Sequence, residues 1–134
     1  MKQIKSKQRV KEHGEVFTNE REVDNMLNLI PNITIEMTFL EPSCGNGAFI
    51  LGILKRKFDL CKKKTDYITA LQSVYGIDIM ADNIQECKNR VKELYKSYNQ
   101  KDNIDFILDT NIFQGNSLAI MKLLEEKVVY VREI

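Results

Sequence analysis

The strongest constraint on the fold is the stretch Thr38-Phe39-Leu40-Glu41-Pro42-Ser43-Cys44-Gly45-Asn46-Gly47-Ala48-Phe49-Ile50. Phe39 and Leu40 suit a short buried strand, and Pro42, with no N–H to give a ladder, marks its end. Gly45 and Gly47 follow, where a backbone takes positive φ and a ligand can come close. Ala48 to Leu54 then begins an apolar helix. Strand, glycine turn and helix set free helix N–H groups at the mouth of a parallel sheet. The expected fold class is α/β.

The glycine pair alone also fits an ordinary surface turn. Ile50 stands where the dinucleotide pattern needs its third glycine, which counts against a nicotinamide or flavin site. Glu41 narrows the choice further. A carboxylate directly before the turn repels phosphate and suits a cation or an ammonium group. A ligand with a positive centre and no phosphates fits, and S-adenosylmethionine is such a ligand.

The length of 134 residues is enough for one domain with one core. A net charge of +1 supplies no global field toward nucleic acid. No run is apolar enough to span a membrane, and the basic amino terminus lacks the apolar region of a signal peptide. Cys44, Cys61 and Cys87 are an odd number with no Cys-x-x-Cys, which points to reduced thiols, a cytoplasmic chain and no zinc site. His13 is the sole histidine, so no two-histidine metal site is expected.

Along the chain, Lys2, Lys5, Lys7, Arg9 and Lys11 make residues 1–13 a basic arm, read as solvated, with phosphate contact as the alternative. Asn19 and Glu22 read as a capping box, followed by Val23, Met26, Leu27 and Ile30 on one helix face, which Pro31 ends. The helix after Gly47 turns basic at Lys55, Arg56 and Lys57, read as a mostly solvated helix end. Asp66 to Ser73 reads as a short helix. Val74 to Ile79 is a second strand ending on Asp78, which suits either a helix cap or a ribose-binding carboxylate. Ile84, Cys87, Val91, Leu94, Tyr95 and Tyr98 form the face of the next helix. Asn111 to Leu118 reads as a third strand and its exit turn, Leu118 to Glu126 as a helix, and Val128 to Val131 as a strand.

Four of these stretches together carry a family resemblance. Glu41-Pro42-Ser43-Cys44-Gly45-Asn46-Gly47-Ala48-Phe49 resembles the first cofactor motif of adenine-N6 DNA methyltransferases. Gly14-Glu15-Val16-Phe17-Thr18 resembles the stretch that opens the cofactor pocket of the same family, with Asn19 in place of its usual proline. Tyr75-Gly76-Ile77-Asp78-Ile79 resembles the second motif, and Gly115-Asn116-Ser117 the third. The resemblance implies a Rossmann-like S-adenosylmethionine-dependent methyltransferase fold over residues 14–134, incomplete at its carboxyl end. It implies a cofactor site of Phe17, Thr18, Glu41, Pro42, Ser43, Gly45, Gly47, Asp78, Ile79, Asn116 and Ser117. Asp78 would take the ribose hydroxyls, and the Asn116 amide the adenine edge.

The family's catalytic tetrapeptide, Asn or Asp, Pro, Pro and an aromatic residue, has no counterpart, because the two prolines are Pro31 and Pro42. The expectation is therefore the cofactor-binding part of a restriction–modification or phage-type DNA adenine methyltransferase, inactive alone. Its partners would be S-adenosylmethionine or S-adenosylhomocysteine, and DNA through a partner subunit or a further carboxyl-terminal region. The alternatives are a non-catalytic S-adenosylmethionine-binding regulator or subunit, and a piece of a protein or RNA methyltransferase.

Overall fold

In the central strand of the protein Val74, Gly76, Ile77 and Asp78 are buried and Tyr75 is exposed. In the computed structural model, which describes residues 3–4, 16–17, 19–120 and 122, a short antiparallel pair comes first: β1 (Gln3–Ile4) with β2 (Val16–Phe17). Helix α1 (Glu20–Leu27) follows, then β3 (Phe39–Glu41), α2 (Ala48–Leu60), α3 (Lys64–Gln72) and β4 (Val74–Asp78). Helices α4 (Ala81–Ser97) and α5 (Asp105–Asn111) precede β5 (Ile112–Gln114). A further helical turn begins at Ser117. Thr18, most of the basic arm and Val128–Val131 lie outside the described residues.

The three strands are parallel in the order β3-β4-β5, with Phe39 opposite Val74 and Gly76 opposite both Glu41 and Ile112. This is an α/β arrangement around a small parallel sheet. Val74, Gly76 and Ile112 face the main core with Ile50, Leu54, Phe58, Cys87 and Val91 of α2 and α4. Gly76 is the point of closest approach, since a Cβ there would collide with the Ile50 side chain and stand 3.2 Å from the Cys44 Cβ. At the far end of the helices Phe58, Tyr67, Tyr95 and Tyr98 pack ring on ring, with the Phe58 and Tyr98 centroids 5.2 Å apart. No helix among the described residues is long and apolar enough to cross a membrane.

Several expectations change. Asn19 caps α1 by accepting from the Glu22 N–H at 2.9 Å, but the helix stops at Leu27, short of Pro31. Only Val23 and Leu27 of its expected face are buried, while Met26 and Ile30 are exposed. Asn111 ends α5 instead of opening a strand. Gln3–Ile4, within the arm expected to be solvated, pairs with Val16–Phe17.

The basic end of α2 differs most from its reading as solvated. Lys57 is fully buried. Its ammonium donates to the Ile35 carbonyl at 2.9 Å, to the Met37 carbonyl and to Ser73 Oγ at 2.6 Å, and it lies 5.2 Å from the Phe39 ring centroid. It thus ties the approach to β3 to the junction of α3 and β4. Lys55 pairs with Glu20 at 3.0 Å, and Arg56 donates to Asn28 Oδ1 at 2.9 Å, so this run is engaged within the chain.

Burial pushes the Lys57 ammonium from the ordinary 10.5 down to about 8. Between those values the folded chain holds fewer protons than the unfolded one, so stability rises with pH across that window. The stability of the wild type relative to Lys57→Met should therefore climb as pH is raised from 8 to 10.5. Urea unfolding at a series of pH values measures this, and parallel curves for the two proteins would remove Lys57 as the cause.

Candidate functional site

Because β3, β4 and β5 are parallel, the turns that leave them all open at one edge of the sheet. The first turn is built by positive φ. Gly45 sits at φ +54° and Gly47 at +94°, a region that L side chains seldom enter. Cys44 N–H donates to the Ile77 carbonyl at 2.9 Å, which pins the turn to β4. Gly47 N–H closes back onto the Cys44 carbonyl at 2.9 Å, and the Gly47 carbonyl accepts from Leu51 at 2.8 Å to start α2. A Cβ on Gly47 would stand 2.6 Å from Cys87 Sγ, so this glycine is required by the approach of α4 as well as by its φ.

Asp78 binds the three turns together. Its Oδ2 accepts from Gly45 N–H at 2.9 Å, and its Oδ1 from Met80 N–H at 2.8 Å and Asn83 Nδ2 at 3.3 Å. Its main-chain carbonyl accepts from Gly115 N–H at 3.0 Å, at the exit of β5. The carboxylate is buried, at 8% exposure. Two carboxylate oxygens offer about four acceptor positions. Donors among the described residues use three of them. The side chain is therefore also a structural element of the turn.

Glu41, at the end of β3, accepts from Ser43 N–H at 3.1 Å. Partial burial raises its carboxyl above the ordinary range, against the opposing pull of that N–H. Its charge then costs less when a cation lies beside it. Ile79 is 49% exposed next to Asp78, giving an apolar surface at the mouth, and its carbonyl accepts from Gln114 Nε2 at 3.0 Å. Asn116 uses its Oδ1 to cap the helical turn after β5, accepting from Leu118 N–H at 3.1 Å and Ala119 N–H at 3.3 Å. The amide then presents its Nδ2 donor. Ser117 is half-buried at the start of that turn.

The structure thus brings Glu41, Pro42, Ser43, Gly45, Gly47, Asp78, Ile79, Asn116 and Ser117 to one edge of the sheet. Phe17 is described as a strand residue only, and Thr18 falls outside the described residues. Asn19, the next residue, shares a groove of about 210 Å³ with Asn46, Ala48 and Arg90 beside the glycine turn. Arg90 Nη1 donates to the Asn46 carbonyl at 3.1 Å. Sequence reasoning did not find Asn83, Gln114 or Arg90. Nothing in their local sequence marks them, because their partners lie on other elements. The Cys44 and Cys87 thiols, distant in sequence, also meet here. Their mutual hydrogen bond, together with burial, raises the Cys44 thiol and keeps it protonated. No group of metal-ligating side chains occurs among the described residues.

Among curated proteins, the chain is similar to the type II methyltransferase M.VspI of Vibrio sp. (strain 343), with 28% identity over 81 residues. The match takes in 60% of this chain and 17% of that protein, so the chain corresponds to a small part of its relative's length. The similarity is distant and points to a methyltransferase relationship. No family model matches the chain, and no solved structure does.

Gly47→Ala should destabilise the chain by about 1–3 kcal/mol through the positive φ, with a further steric cost against Cys87. Cys87→Ala in the same chain should recover the steric part only, a coupling of about 1 kcal/mol in a double-mutant cycle. Strict additivity by urea denaturation would mean that Gly47 and Cys87 do not touch.

Proposed function

We propose that residues 14–134 form the S-adenosylmethionine-binding part of a DNA methyltransferase of the adenine-N6 type, with a Rossmann-like fold and the basic arm of residues 1–13 preceding it. The observation that carries the reading is the hydrogen bond from Gly45 N–H to the Asp78 carboxylate. It joins the first and second motif-like stretches at the carboxyl edge of a parallel sheet, the position where α/β folds hold nucleoside ligands. The distant similarity to a type II methyltransferase supports the same reading.

The residues present fit that cofactor. Glu41 would lie toward its positive centre, and the Gly45–Gly47 turn would let its backbone pass close. Asp78 would hold the ribose hydroxyls. Ile79 would lie against the adenine face, and Asn116 Nδ2, with Ser117 beside it, would donate to an adenine nitrogen. Phe17 and Thr18 would complete the set of cofactor contacts. When bound, the cofactor supplies an activated methyl group; the chain itself binds and orients it.

Methyl transfer to an adenine amino group further requires acceptors on the amino hydrogens and a platform for the extruded base. The tetrapeptide that would provide them is not in these 134 residues. The reading therefore assigns cofactor binding to this chain, and DNA contact and catalysis to a partner subunit or further residues, in a cytoplasmic setting.

Calorimetry with S-adenosylhomocysteine should show one site, and Asp78→Ala should weaken it by about 1.5–3 kcal/mol. The mutant should also melt lower than wild type, since Gly45 and Met80 lose their acceptor. No heat and no thermal shift at millimolar ligand would defeat the cofactor reading. With tritiated S-adenosylmethionine and adenine-rich DNA, the chain alone should transfer no label, because loss of one aligned stabilising group already costs on the order of a hundredfold. Incorporation at N6 by the isolated chain would contradict the assignment of catalysis elsewhere.

A further inference from the structure

Asn46-Gly47 is the sole asparagine–glycine pair in the chain, and it lies within the turn that leaves β3. Glycine has no Cβ to keep its nitrogen away from the preceding side chain. That makes the pair chemically reactive without any partner. When the Gly47 nitrogen attacks Asn46 Cγ, a new C–N bond closes a cyclic imide. The bond from Cγ to Nδ2 breaks, and the amide leaves as ammonia with the proton that Gly47 gives up. Water then opens the imide at either carbonyl. Attack at Cγ yields aspartate. Attack at the Asn46 main-chain carbonyl yields isoaspartate, in which the chain runs through Cβ and Cγ and is longer by a methylene. The balance is one water taken up and one ammonia released, with no oxidant or other reactant.

The fold opposes the first step. Gly47 N–H donates to the Cys44 carbonyl at 2.9 Å. The imide nitrogen carries no hydrogen, so this bond must break before the ring can close. Asn46 is 8% exposed, and its carbonyl accepts from Arg90 Nη1 at 3.1 Å. On the other side of the pair, Gly45 N–H is held by Asp78 Oδ2 at 2.9 Å. Bonds to Cys44, Arg90 and Asp78 thus keep the pair in its closed turn.

The same packing leaves no place for the product. Even a Cβ on Gly47 would stand 2.6 Å from Cys87 Sγ, and the Gly47 carbonyl starts α2 by accepting from Leu51. A further methylene between Cys44 and Gly47 lengthens a turn that these contacts hold at its present size. The new carboxylate also puts a charge where a neutral amide was buried.

We propose that Asn46-Gly47 is a site of spontaneous deamidation, held back by the closed glycine turn, and that its conversion to isoaspartate removes the turn irreversibly. The chain then carries its own limit on the lifetime of the edge where the three turns meet. The chemistry does not depend on what that edge binds, so this proposal and the cofactor reading fail separately.

The test is to incubate the full chain in mildly alkaline buffer, with and without guanidinium chloride, and to follow Asn46 by peptide mass and ammonia release. The unfolded chain should convert at Asn46 before any other asparagine, and at least about a hundredfold faster than the folded chain. Arg90→Met and Asp78→Ala, each confirmed as folded by circular dichroism, should speed conversion in buffer by about fivefold or more. After conversion in guanidinium and return to buffer, the chain should melt lower and lack the native Gly47 amide resonance. Asn46→Gln, whose longer side chain cyclises far more slowly, should regain its own untreated melting point and Gly47 resonance after the same treatment. Equal rates in the folded and unfolded chain, faster conversion at another asparagine, or an unchanged rate in both folded variants would overturn the proposal. So would a converted chain with native melting and a native Gly47 amide, or an Asn46→Gln chain that loses them equally.

Discussion

The structure depends on one buried carboxylate. Asp78 ends the central strand, and its two oxygens accept from the glycine turn after β3 and from the start of α4, while its carbonyl receives Gly115 from beyond β5. A buried carboxylate costs several kcal/mol unless it is hydrogen-bonded, and these donors offset that cost. In return it fixes the relative position of three turns that local sequence leaves free. The edge of the sheet is thus held in one arrangement by the chain itself.

Packing behind that edge explains why the turn has the shape it does. Gly76 lets Ile50 and Cys44 close on β4, and Gly47 lets α4 bring Cys87 against the turn. The apolar helix faces of α2 and α4 then cover one side of a three-stranded sheet. At the opposite end of the sheet, Lys57 fastens β3 from below with three acceptors and no carboxylate among them. The strand that leads into the turn is thus held at both ends.

Much of this was legible in the sequence where the signal is local. The Gly45–Gly47 turn, the end of β4 at Asp78 and the apolar stripes of α2 and α4 follow from glycine, strand-end and helix periodicity. What escaped was set by distant partners. Lys57 reads as solvent-facing between Arg56 and Phe58, yet the carbonyls of Ile35 and Met37 draw it inward. The seven residues of α5 are too few to show a period, so Asn111 reads from the sequence as the start of a strand. There its Nδ2 instead donates to the carbonyls of Leu71, Gln72 and Val74. Asp78 suggested a ligand contact, but its structural bonds to Gly45 and Asn83 could not be read without the fold. The roles of Glu41, Ile79 and Asn116 toward a cofactor rest on the proposed function.

The most direct test of the central claim is to locate the ligand on the chain. Isotope-labelled protein titrated with S-adenosylhomocysteine, followed through its backbone amides, would do so. The account predicts shifts concentrated at Gly45, Gly47, Ile79, Gly115 and Asn116, with the amides around Tyr67 and Tyr98 unmoved. Shifts centred on that aromatic end, with the glycine turn unchanged at saturating ligand, would contradict it.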